Sequence, residues 1–279
     1  MTIRRDLISI ARLDFAEVLR SRWLLFCAGV YGLLGLVFVF VAFRESSVLG
    51  FTGMGRVLMS LCHTLLLILP LLALTATSQV INGARDSGAL ELLFSHPFSR
   101  RGYFVAVSVV RYLAVLAPLV GLVLALAVYG WFALGEAVPW RFIARATALC
   151  AALLWAFVGC GIMISTLVRN QAKALTYMLL AWAAGVALLD FALVGVMLQW
   201  RLAPQGVFLL AALNPVEAAR IALLSAVEPE LSVLGPVGFY LANRVGATAL
   251  LALGIGWPLA VGSLLWFVGF SRFRSGDLL

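Results

Sequence analysis

Three side chains that suit a soft metal ion share one helical face: Met59, Cys62 and His63, at i, i+3 and i+4. Cys160 and Met163 repeat the i, i+3 spacing further along. Thioether, thiol and imidazole donors suit Cu(I). Apolar packing scatters the same residue types through hydrophobic segments, where a buried cysteine acts as a small hydrophobe. That is the stronger reading for Cys27, Cys62, Cys150 and Cys160, and no metal is assigned to the chain. A second chemical feature is Asp190, set in the apolar run from Val186 to Val194. A carboxylate at membrane depth is expensive and is by default a functional candidate. It can relay a proton or cation, or hydrogen-bond a neighbouring helix or a second subunit. The lack of a basic partner in the membrane favours the hydrogen bond. There is no GxxxxGK[ST] to hold a nucleotide phosphate. The two histidines, His63 and His96, fall short of what a bis-histidine haem protein or a His-rich metal site needs unless a second copy contributes. No catalytic site is expected, and the chain reads as a non-enzyme.

The elements that position these residues are dictated by composition. Hydrophobic residues make up 64% of the 279 and charged residues 11%, where a soluble domain carries about 25% charged. A single globule cannot bury that much apolar surface, but a bilayer can, through helical runs of about 20 apolar residues. The expected spans are 23–43, 57–81, 104–134, 146–168, 174–200 and 247–270. The fold class is therefore all-α integral membrane with six transmembrane helices, in one domain over 1–279. Arg111 falls near the start of the third span, from where it can snorkel to the interface.

Six spans put both ends on one side. With the ends in the cytoplasm, that side holds Arg4, Arg5, Arg12, Arg20, Arg22, Arg85, Arg100, Arg101, Arg169, Lys173, Arg272 and Arg274. The other side holds Arg44, Arg56, Arg141, Arg145, Arg201, Arg220 and Arg244 over longer loops. The positive-inside rule favours this orientation, and the net charge of +8 follows from it rather than from nucleic-acid binding.

Three segments are left outside the spans. Residues 1–22 predict an interfacial helix, with Ile3, Leu7, Ile10, Ala11, Leu13 and Phe15 on its apolar side. Residues 82–103 form a cytoplasmic loop with a helical middle. Residues 201–246 form the largest external segment, where Asn214 can cap a helix carrying Pro215 and Glu217 in its first turn. Apolar content there predicts a re-entrant hairpin, a protein-binding face, or both, with Glu217 and Arg220 turned toward a partner.

The loop from Gly83 to Arg100 carries a resemblance. It is similar to the segment after the second span of ABC-2-type transporter permeases, approximately E-R-E-x-G-T-L-E-x-L-L-x-x-P-x-x-R. Arg85, acidic Asp86, Gly88, Leu90, Glu91, Leu93, Pro97 and Arg100 match, whereas Ala84 and Ala89 depart from it. The resemblance extends to the whole plan of interfacial helix, six spans and external segment before the last span. It implies a coupling helix that docks in a groove of a separate ATPase, with Leu90, Leu93 and Phe94 as the docking face and Arg85, Asp86 and Glu91 setting register. Within the family, Leu93–Arg100, Leu188–Gly195 and Leu209–Ile221 are similar to the permeases that serve copper-centre assembly of nitrous-oxide reductase. That likeness implies a homodimer in the bacterial inner membrane, two cytoplasmic ATPase copies that hold ATP and Mg, and a periplasmic copper-binding repeat protein docked outside. The alternative within the family is an exporter of a drug, lipid or cation.

Overall fold

The computed structural model describes residues 3–20, 22–49, 54–95, 99–135, 137–188, 195, 204–228, 230–231 and 234–275, and among them every regular element is helical. The helices are α1 (Ile3–Arg20), α2 (Arg22–Leu49), α3 (Met54–Thr77), α4 (Val80–Asp86), α5 (Ala89–Phe94), α6 (Arg100–Leu134), α7 (Trp140–Leu167) and α8 (Gln171–Ala183). A π-helical turn, Ala184–Leu188, continues α8. After it come α9 (Pro204–Leu213), α10 (Pro215–Val227) and α11 (Gly235–Tyr240), a second π-turn (Leu241–Val245), and α12 (Ala247–Ser275).

Five helical stretches are long and apolar enough to cross a membrane: Trp23–Phe40, Leu58–Asp86 (α3 continued by α4), Arg100–Phe132, Trp140–Leu167 and Ala247–Ser275. The pair α9 and α10 meets the same test with a 118° bend between its halves, for up to six spans. The expected fifth span, 174–200, is described only to Leu188, apart from Gly195, and Asp190 lies outside the described residues. Helix ends exceed the hydropathy windows, which cannot see capping or polar first turns. α6 starts at Arg100, where the Ser99 hydroxyl accepts from the Gly102 N–H at 3.1 Å, and α7 starts at Trp140.

α6 has 35 residues, about 52 Å at 1.5 Å per residue, against a hydrocarbon core of about 30 Å. α1 packs along the first half of α6, its stalk. Val18 is buried against Val110 and Ala114, and Asp14 bonds Arg111 one turn earlier.

α7 is the most enclosed of the five spans and packs on α3, α4, α6, α8, α10 and α12. Its contact with α12 is made by glycine. A Cβ on Gly159 would overlap the Gly262 carbonyl, and one on Gly262 would lie 2.7 Å from the Ala156 Cα. Lipid gives helices no hydrophobic drive to associate, so close backbone approach of this kind supplies the packing energy. We therefore expect Gly262→Ala to destabilise the purified protein by roughly 1–3 kcal/mol through overpacking. Gly256→Ala, on the same helix but facing open space, should be neutral or slightly stabilising. Thermal unfolding of the two variants in detergent checks the contrast.

Candidate coupling site

The segment after α3 turns at Ser78 and Gln79 and re-forms as α4 and α5. α4 has no side-chain cap of its own. Its orphan N–H groups are met from α7 instead: the Ser165 hydroxyl accepts from the Ile81 N–H at 2.8 Å and the Asn82 N–H at 3.3 Å. Ser165 and Asn82 are fully buried, and the Ser165 hydroxyl lies 3.4 Å from Asn82 Oδ1. Beside this seam Gly161 lets α7 approach α3, since a Cβ there would overlap Thr77. Sequence reasoning missed Ser165. A lone serine near the end of a span gives no signal that it caps a helix far away in the chain.

α4 and α5 meet at Gly88, whose φ of 71° lies in the left-handed region that costs other residues about 1–2 kcal/mol. The three residues expected to form the docking face of α5 are buried to different extents. Leu90 is 2% exposed and belongs to the bundle core. Phe94 is half-buried and packs on Tyr103 and Phe273, with ring centroids at 5.9 and 6.4 Å. Leu93 is half-buried as well. Leu92, 71% exposed, is the large apolar residue that α5 presents to solvent, with Glu91, Asp86 and Arg100 exposed near it. Arg85 is half-buried, and its Nε and one Nη have no hydrogen-bond partner. Pro97 and His96 lie outside the described residues.

The aromatic nest under Phe94 ties α5 to the end of α12. Phe273 packs on Phe104 at 5.3 Å and Tyr103 at 6.0 Å. Trp266 lies 5.2 Å from Phe104 and donates its N–H to the Ser108 hydroxyl at 2.8 Å. The short helices thus rest on α6, α7 and α12 together.

At the other end, the expected 201–246 loop is drawn into the bundle. α9 and α10 turn at Asn214, which caps α10 as expected: its Oδ1 accepts from the Val216 N–H at 3.0 Å. Its Nδ2 donates to the Gly185 carbonyl in the π-turn at 2.8 Å. Trp257 of α12 donates to the Leu213 carbonyl at 3.0 Å, ten residues from the start of that helix, or about 15 Å at the α-helical rise. The hairpin therefore reaches well into the bundle. Val216, Ala219, Ala222 and Leu223 are buried in the main core, and Pro215 is half-buried. Glu217 and Arg220, expected to face a partner, form an ion pair with each other one turn apart.

Met59, Cys62 and His63 lie along α3. Cys62 is buried, and the His63 Nδ1 lies 3.1 Å from the Met59 carbonyl of its own helix. Among the described residues no three His, Cys, Asp or Glu side chains gather at one point.

A family model described as ABC-2 family transporter protein matches residues 8–273. Two curated relatives bear the name probable ABC transporter permease protein NosY. The one from Stutzerimonas stutzeri is 28% identical over 278 residues, covering 95% of this chain and 97% of the relative. The one from Pseudomonas aeruginosa is 29% identical over 229 residues, covering 78% of this chain and 81% of the relative.

The Glu217–Arg220 pair generates a prediction. Arg220→Glu leaves two facing carboxylates in a poorly hydrated place, and breaking a buried pair costs roughly 3–5 kcal/mol, less here because both groups keep some solvent contact. Its yield of folded protein in detergent should fall. The exchanged double variant Glu217→Arg with Arg220→Glu should recover most of it. Equal loss in both would mean that the pair has no mutual role.

Proposed function

The chain belongs to the ABC-2 family of transporter proteins, and on that premise we propose that it is the membrane subunit of an ATP-driven complex whose output is mechanical work on a periplasmic copper-handling protein. A separate cytoplasmic ATPase docks on α4 and α5, and its cycle moves the spans during assembly of the copper sites of nitrous-oxide reductase. The observation that carries the coupling role is Leu92. It stands exposed on a short helix whose opposite side is fastened to three long ones. A single exposed leucine is ordinary on a protein surface, but beside the exposed Glu91 and Asp86, on a helix braced from behind, it fits a helix that docks in a groove.

Leu92 joins Glu91, Asp86, Leu93 and Arg100 as the docking surface, with Arg85 and Gly88 shaping it from behind. The distribution of arginines supports cytoplasmic ends in a bacterial inner membrane. A second copy of this chain and two ATPase copies complete the complex. The copper assignment rests on likeness to the two relatives named NosY. The periplasmic contact is better carried by the turn after α10, where Glu230 is exposed, than by Glu217 and Arg220, which hold each other.

Two outcomes test this reading. Glu91→Lys with Leu92→Asp should lower ATPase recovery with the purified permease about ten-fold, as expected for losing an apolar anchor and its charged neighbour, with permease yield unchanged. Wild-type recovery would leave α5 a simple connection. Asp190→Asn should still support copper loading of the reductase, because an amide keeps the hydrogen bond. Loss of loading in a normally assembled variant would instead establish the ion relay.

A further inference from the structure

A cavity of about 530 Å³ opens between α1, the start of α2, the α3–α5 segment and the stalk of α6. Asp14, Glu17, Trp23, Gln79, Tyr103 and Arg111 line it, and Ala84, Ser87 and Ala89 of the docking segment complete its wall. Arg111 donates to Asp14 Oδ1 at 2.8 Å, and Glu17 stands 3.6 Å from the same guanidinium. Asp14 and Arg111 are nearly buried, at 8% and 11% side-chain exposure, while Glu17 is 76% exposed at the rim. The second Asp14 oxygen, Oδ2, is buried without a hydrogen-bond partner, as is Arg111 Nε.

We propose that this cavity receives an arginine or lysine side chain of the ATPase, making a second docking contact beside α5; the proposal rests on the coupling role argued above. Two carboxylates face one guanidinium, so the walls carry a net negative charge, with the exposed Glu17 at the rim. That charge favours a cation that brings its own N–H donors. Trp23 and Tyr103 supply aromatic surface for the stem or for a cation–π contact. Asp86 and Glu91, exposed on α4 and α5, extend the negative rim toward Leu92. Arg100 and Arg101 are exposed at the start of α6 and add positive charge at that end. An anionic lipid headgroup is opposed by the two carboxylates. The shared wall with the docking segment favours a protein side chain over a lipid ammonium, because whatever docks on α5 already lies over the opening. A cation held there would grip α1 and α2 as well as the α5 platform.

The test is the affinity of the purified permease for its ATPase in detergent, for wild type, Glu17→Lys, Asp14→Asn and Leu92→Asp. Glu17 is exposed, so its substitution spares the fold, and Asn at 14 can still accept from Arg111. We expect Glu17→Lys to raise Kd about ten-fold, and added salt to weaken wild type more than this variant. Asp14→Asn should shift Kd in the same direction by a smaller factor. Wild-type affinity in Glu17→Lys together with loss of affinity in Leu92→Asp overturns the cavity proposal and leaves the coupling role standing. Wild-type affinity in all three overturns both. Wild-type ATPase affinity with loss of co-purifying phosphatidylethanolamine in Glu17→Lys overturns the proposal and assigns the cavity to a lipid headgroup.

Discussion

Close backbone contact between α7 and α12 is the constraint on which the rest of the bundle depends. Inside a bilayer, Leu against Leu gains nothing over Leu against lipid, so helices associate where small residues bring backbones together and where polar groups find partners. Gly159 and Gly262 do the first. Trp155 of α7, which donates to the Ser263 hydroxyl at 3.1 Å, does the second in the same neighbourhood. Further along the same face of α12, Gly254 admits α10 and the Leu149 side chain, and Gly269 admits Met163. One helix thus presents three glycines to its neighbours, eight and seven residues apart on one broad face.

Because α7 is held so closely, what is attached to it shares its position. At one end the Ser165 hydroxyl stands in for the missing cap of α4, and Thr77 sits against Gly161. Toward the other end α7 packs on α10, whose turn at Asn214 hydrogen-bonds the π-turn after α8. π-turns are rare and tend to occur where a helix does something other than run straight. Here one offers the Gly185 carbonyl to a neighbouring segment. The short helices α4 and α5 and the bent pair α9–α10 are therefore parts of one packed body, and close-packed interiors deform little.

The long spans were legible because a bilayer asks for something a window can measure, a run of apolar residues. The Asn214 cap was legible because Asn-Pro followed by Glu is a local helix start. The buried face of α5 was not. Its six residues hold four large apolar side chains, too short a run for periodicity to choose between Leu90 and Leu92. The choice is made by Phe273 and the α7 end, which arrive from far along the chain. α10 was ambiguous for a related reason: an apolar helix that enters a bundle and one that grips a protein share a composition. Only the α12 glycine that accommodates Ala218 and Ala222 decides between them.

Two charge pairs, Asp14–Arg111 and Glu217–Arg220, show how the fold handles ionisable groups it does not leave in water. The first joins helices far apart in the chain and the second spans one turn of α10. Burial raises the Asp14 pKa, and the charge and hydrogen bond of Arg111 oppose that shift without cancelling it. Such a pair adds little net stability over an apolar contact of the same shape, but separating it is costly. Its effect falls on register. If α1 slid by a turn in one direction, Arg111 would face Ile10 instead of a carboxylate; in the other it would meet Val18 and the largely exposed Glu17. The ion pair with the buried Asp14 therefore favours the observed placement of α1 on the stalk. That placement brings Glu17 and Trp23 beside the docking segment.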